Sequence, residues 1–195
     1  MPSPEKFRDT LNDFSVSEPI IQEMYFGFGT LASKTSKKTK AAFFAQAITV
    51  MNEKLSKEQV QAILEANACC KSGARDKASK EFARIQKDTP LEDRLRLITA
   101  RPYLNMGKPE LDEKGDLVIY AVHFYVEDHY ACACPTVSKV KKEKPIPKEY
   151  CYCCGGHFKY HYEIMLGKKL ELAEIVSSPH EDQTRPCTFR FRFIQ

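Results

Sequence analysis

Apolar side chains recur at three- and four-residue steps through the first hundred positions. Ile20, Ile21, Met24, Tyr25, Phe28 and Leu31 form one such stripe, and Ala41, Phe44, Ala45, Ala47, Ile48 and Met51 a second. That period predicts amphipathic helices. The polar, basic run Ser33-Lys-Thr-Ser-Lys-Lys-Thr-Lys40 links them. Ser56-Lys-Glu-Gln59 fits a capping box ahead of Val60, Ile63, Leu64 and Ala66, and Gly73 is expected to end that helix. A charged helix over 74–87 follows, with Phe82 and Ile85 on its buried side. Thr89-Pro90 then opens a short helix through Leu95 and Ile98.

The period changes after Pro102. The β-branched and aromatic run Leu117-Val-Ile-Tyr-Ala-Val-His-Phe-Tyr-Val126 predicts a strand. Glu127-Asp128 turns it back into His129-Tyr-Ala-Cys-Ala-Cys134. The lysine-rich stretch 139–148 suits an exposed loop. A helix is expected after Gly155-Gly156, stopping at Gly167. Strands over 169–176 and 188–193 finish the chain. Helices followed by strands predict an α+β fold: a helical N-terminal half packed with a small antiparallel sheet and one returning helix in the C-terminal half. Residues 1–195 are read as a single domain, with a helical subregion over 1–101 and a sheet-plus-helix subregion over 102–195 that carries the cysteines.

Composition narrows the classes. The chain has 195 residues, 43% of them apolar, and a formal charge of +4. That supports one core, and the charge is too mild to imply a nucleic-acid partner. No uncharged run is long enough to span a bilayer, and Met1-Pro-Ser-Pro-Glu-Lys-Phe-Arg-Asp lacks the apolar segment of a secretion signal. The expectation is a cytoplasmic protein with no nucleic-acid and no membrane partner. Eight cysteines stand out. In a reducing compartment clustered thiols mean metal or chemistry more often than bridges.

Four groups carry candidate chemistry. Cys132-Ala-Cys134 and Cys151-Tyr-Cys-Cys154 hold thiols two apart, which in a strand share a face. Brought together by a hairpin, such thiols suit zinc, with Zn–S distances of about 2.3 Å. They equally suit inert or reactive free thiols, which pack as small hydrophobes when buried, and disulfides are the third choice. Strand parity over Leu170-Glu-Leu-Ala-Glu-Ile-Val176 places Leu170, Leu172, Glu174 and Val176 on one face, where a carboxylate needs a cation, a donor or a metal. The other choice for Glu174 is the wet rim of the sheet. His157 and His161, four apart, share a helix face that suits a divalent ion or proton transfer, and equally a structural role. The glycines before them would leave backbone N–H groups open to an anion. Cys69-Cys70, near a helix end, reads as packing unless the fold carries it to the other cysteines.

The C-terminal segment resembles a known family. Cys151, then His157-Phe-Lys-Tyr-His-Tyr-Glu-Ile-Met-Leu-Gly-Lys-Lys-Leu-Glu-Leu172, Ser177 and Cys187-Thr-Phe-Arg-Phe191 follow the pattern of 4-vinyl-reductase-type ligand-binding domains, a superfamily that includes thiazoline-carboxylate hydrolase-like proteins. Asn67-Ala-Cys-Cys70 and Pro102-Tyr-Leu104 make the whole chain look like cytosolic bacterial proteins of this size, for which the resemblance implies a fold and no activity. Aromatic-sensing members hold zinc with three cysteines and a glutamate. Position by position, this implies Cys151, Glu174 and Cys187 as metal ligands. Ser177 stands where the middle cysteine would be, so the missing ligand must come from Cys132, Cys134, Cys153, Cys154 or His180.

Three functions follow from these residues. The first is an intracellular small-molecule-binding domain with a Cys/Glu zinc site. Its ligand would be small and apolar or aromatic, held among Phe124, Tyr125, Tyr160, Phe189 and Phe191, and a homodimer is left open. The second is a hydrolase of a small C–N or C–S bond, in which the catalytic candidates are Cys154, His157 and His161. The third is a thiol redox or metal-handling protein using the cysteine cluster.

Overall fold

The computed structural model describes residues 3–32, 34–69, 71–101, 104, 106–121, 125–138 and 145–194. Cys70, Phe124 and most of the lysine-rich stretch, 139–144, lie outside the described residues.

Six helices occupy the N-terminal half: α1 (Pro4–Asp13), α2 (Glu18–Tyr25), α3 (Lys37–Lys54), α4 (Lys57–Ala66), α5 (Gly73–Ile85) and α6 (Leu91–Thr99). Their starts follow the local chemistry. The Ser56 side chain accepts from the Gln59 N–H while Gln59 reaches back to the Ser56 N–H, closing the expected capping box of α4. That helix stops at Ala66. Gly73 does not end it but opens α5 at φ +77°, a conformation that costs glycine little.

The strands are β1 (Lys108–Leu111), β2 (Leu117–Tyr120), β3 (Tyr125–Val126), β4 (His129–Tyr130), β5 (Lys169–Ser177) and β6 (Thr188–Ile194). An antiparallel sheet runs in the order β1-β2-β6-β5, and β3 and β4 form a separate hairpin around Glu127–Asp128. The fold is α+β, as the pattern predicts. Two expectations are corrected. β4 ends at Tyr130, so Cys132-Ala-Cys134 lies beyond the strand, although both cysteines are buried and Ala133 is exposed. The returning helix α7 (Tyr152–Leu166) starts before the glycine pair, directly after a 3-10 turn, Lys148–Cys151. Gly155 and Gly156 therefore lie inside the helix, and the open N–H groups expected there do not exist.

Two apolar clusters form the interior. The first gathers Phe7, Leu11, Ile21, Phe43, Phe44, Ile48 and Leu64 with Cys132, Cys134, Tyr150 and Cys153. The second lies between α7 and the inner sheet face, around Phe82, Leu95, Ile98, Ile119, Phe158, Tyr162, Leu172, Phe189, Phe191 and Cys151. Tyr152 packs against both. Helix α7 is anchored at its middle and at its C-terminal end. Arg94 Nη1 donates to the Leu166 carbonyl at 3.0 Å, and Lys159 pairs with Glu65 of α4 at 3.2 Å.

Candidate thiol centre at the start of α7

All seven described cysteines are unbridged. Cys151, Cys153 and Cys154 come from the 3-10 turn and first turn of α7. Cys132 and Cys134 come from the segment after β4, Cys187 precedes β6, and Cys69 follows α4. Cys132, Cys134 and Cys153 belong to the first cluster, and Cys151, Cys154 and Cys187 to the second or its margin.

Two thiol pairs cross between elements. Cys151, 2% exposed, stands 3.1 Å from Ser178 Oγ, and Cys187 is the neighbouring group that acts on it most strongly. Its pKa is pushed well above the ordinary thiol range, first by the Cys187 contact and then by burial. Cys153, 0% exposed, donates to the Asn67 carbonyl at 3.3 Å, two residues before Cys69, and Cys69 is the neighbouring group that acts on it most strongly. Its pKa is likewise raised by the Cys69 contact and burial. In each pair one thiol is buried and its partner, Cys187 or Cys69, is only half-buried.

Cys154, half-buried, follows Cys153 in the first turn of α7. Burial raises its pKa first, and the neighbouring Cys151, Cys132 and Cys134 thiols raise it further. Cys134 Sγ is 3.2 Å from the hydroxyl of the buried Tyr150, whose ring packs edge-on against Phe44 and His180. A thiol in such surroundings keeps its proton, and only the thiolate is a strong nucleophile. This environment works against the nucleophilic role expected for Cys154.

The two α7 histidines face α5 and the α4–α5 link. His157 Nε2 is 3.1 Å from Arg75 Nη1, and its Nδ1 is 3.0 Å from the Cys69 carbonyl oxygen. His161 is fully buried, with Nδ1 2.9 Å from Ser79 Oγ, and the two imidazole centroids are 4.7 Å apart. Tyr160 donates to Asp76 at 2.8 Å, and Lys80 pairs with the same carboxylate. Surface clefts of about 600, 430 and 380 Å³ are lined by other residues and reach neither these histidines nor the cysteines.

Glu174 stands apart from the thiols. A β-bulge between Leu172 and Glu174 shifts the register, so Leu172 faces Phe191 while Glu174 faces Arg190. One extra residue turns the expected parity over. Glu174 joins Glu171 on the outer face, exposed and paired with Arg190 at 2.8 Å. Of the ligand set implied by resemblance, the structure brings Cys151 and Cys187 together and leaves Glu174 across the sheet. Ser177 donates to the Pro186 carbonyl, and it is Ser178 that meets Cys151. Among the described residues, no group of three or more His, Cys, Asp or Glu side chains is placed to hold a metal ion.

Four of the five aromatic residues expected around a ligand are among the described residues. Phe189 and Phe191 are fully buried in the second cluster, Tyr160 is held by Asp76, and Tyr125 is exposed against Tyr130. Sequence reasoning missed Asn67, Ser178, Arg75 and Ser79. Asn67 and Arg75 flank Cys69-Cys70 in the sequence, but nothing local points to their partners on α7. Among the described residues no helix is long and apolar enough to cross a membrane. Comparison of the chain with protein-family models, curated proteins and solved structures found no match.

Proposed function

We propose that the chain is a thiol redox protein that cycles two cross-element dithiols, Cys151 with Cys187 and Cys69 with Cys153, between thiol and disulfide. One observation carries this reading: the segments bearing the half-buried thiols Cys187 and Cys69 pack against the start of α7, where Cys151 meets Ser178 and Cys153 meets the Asn67 carbonyl, and each half-buried thiol is the strongest neighbour of a buried one. The buried member keeps its proton and is shielded from solvent, whereas the half-buried member meets an oxidant first. Contact between them turns the second step into an intramolecular one.

The test is peptide mapping of the reduced chain after mild oxidation by a disulfide reagent. Two bridges are expected, Cys151–Cys187 and Cys69–Cys153, both reversed by dithiol reductants. Cys151→Ser should remove the first alone and Cys153→Ser the second alone. Bridges confined to Cys132 and Cys134, or no bridge, would refute the reading.

A soft metal ion such as zinc is the second reading. It is favoured by the mutual influence of Cys132, Cys134, Cys151 and Cys154, whose protons a cation would displace. It requires these thiols to draw closer than they stand. Elemental analysis of the reduced protein decides it: about one ion per chain, lost in Cys151→Ser, supports it, and a metal-free chain of unchanged stability removes it.

A further inference from the structure

We propose that Cys69 is the thiol that exchanges with an anionic low-molecular-weight disulfide, and that Cys153 then resolves the mixed disulfide. This inference rests on the thiol redox reading and gives it a direction, a partner class and a first step.

The direction comes from exposure. Exchange requires a sulfur that the reagent can reach in line, and Cys153 is 0% exposed with its thiol turned to the Asn67 carbonyl at 3.3 Å. Cys69 is half-buried. Its backbone is fixed by the His157 ring at 3.0 Å, and Lys71 Nζ donates to the end of α4, at 3.4 Å from the Glu65 carbonyl. Cys153 Sγ meets the Asn67 carbonyl two residues before Cys69, and His157, one turn after Cys153, meets the Cys69 carbonyl, so the segment carrying Cys69 is held against the turn of α7 that carries Cys153.

The partner class comes from charge. Residues 71–80 carry Lys71, Arg75, Lys77 and Lys80 against the single carboxylate of Asp76. Asp76 is already paired with Lys80 at 2.8 Å and accepts from Tyr160. Arg75 spends one N–H on a histidine, not on a carboxylate, and among the described residues neither Arg75 nor Lys71 has an ion-pair partner. Such a surface attracts an anionic disulfide and repels a cationic one.

The chemistry balances with the disulfide as oxidant. The Cys69 thiolate attacks R–S–S–R, forming Cys69–S–S–R and releasing R–S⁻. Cys153 then attacks the Cys69 sulfur, its proton passing through solvent to R–S⁻, and the second R–S group leaves as a thiol after protonation. The net result is one protein disulfide and two R–SH, with the two hydrogens coming from Cys69 and Cys153.

The experiment compares oxidised glutathione, which is anionic, with cystamine, which is cationic, on the reduced full chain. Adducts are mapped by tandem mass spectrometry that separates Cys69 from Cys70. In Cys153→Ser the glutathione adduct should accumulate on Cys69, whereas the unsubstituted chain should give the Cys69–Cys153 bridge. Oxidised glutathione should react about tenfold faster than cystamine at low salt, and the gap should narrow in high salt. Lys71→Gln and Arg75→Gln should each narrow it as well, the first without touching His157. An adduct on Cys70 or Cys187 instead of Cys69, or equal rates for both reagents, would overturn the inference while leaving the dithiol reading intact. If neither reagent forms any bridge in the unsubstituted chain, the dithiol reading itself is refuted.

Discussion

Arg75 fixes the state of His157. A guanidinium only donates, so Nε2 must accept from it, and Nδ1 must carry the proton that goes to the Cys69 carbonyl. The ring is thus neutral, with both nitrogens committed, which leaves no lone pair for the general-base role expected from the H-x3-H spacing. Burial, the nearby His161 ring and the Arg75 charge lower its pKa from 6.5 to about 4, against a smaller upward pull from the Cys69 carbonyl and thiol. Because the folded pKa lies below the unfolded one, the unfolded chain takes up the proton first as pH falls. The associated stability is complete above about pH 6.5 and is lost progressively towards pH 4, by about 3 kcal/mol. His157→Gln preserves one donor and one acceptor and should flatten this part of the melting-temperature profile. A His157 imidazole that titrates near 6.5 by NMR would contradict it. The helix face shared by the two histidines was legible in the sequence. Their partners Arg75 and Ser79, each 82 positions away, were not, because local spacing carries no information about which helix packs opposite.

At the scale of elements, the glycine pair in α7 is a packing device. A Cβ on Gly156 would sit 2.6 Å from the Glu65 carbonyl oxygen and 2.8 Å from its Cα, both backbone atoms of α4. A Cβ on Gly155 would collide with Leu172 Cδ2, the far end of a side chain that can turn aside. Alanine also gains about 1 kcal/mol of helix propensity over glycine at both positions. Gly156→Ala should therefore cost about 3 kcal/mol in denaturant unfolding, since two helices must separate, and Gly155→Ala less than about 1 kcal/mol. Equal costs would show that α4 and α7 are not held at this distance. The sequence marked the glycines but assigned them to a helix start, since Gly-Gly is a common boundary signal. The Ser56 capping box was legible because its hydrogen bonds are local. The β5 bulge was not, since alternation in Leu170-Glu-Leu-Ala-Glu-Ile-Val176 looks unbroken until Arg190 is seen opposite Glu174.

For the whole molecule, the change of period near residue 101 is real, but the interior ignores it. The first cluster takes Cys132, Cys134, Ile146, Tyr150 and Cys153 from beyond that point, and the second takes Phe82, Leu95 and Ile98 from before it. Each half of the sequence thus completes the core of the other, and the thiols lie where the two interiors touch. Neither cluster keeps its buried surface if the other opens, so unfolding should be a single transition. Phe44→Leu trims the first cluster, where the ring meets Phe7 at 5.6 Å and Tyr150 at 5.8 Å. Phe189→Leu trims the second, where the ring meets Phe158 at 5.5 Å. Each should lower stability by about 1–2 kcal/mol. In both variants the midpoints followed by circular dichroism and by exposure of the buried thiols should stay coincident. A biphasic curve, with only one variant displacing the thiol signal, would mean that the two clusters unfold separately. Then the pairing of Cys153 with Cys69 would persist or fail independently of the pairing of Cys151 with Cys187.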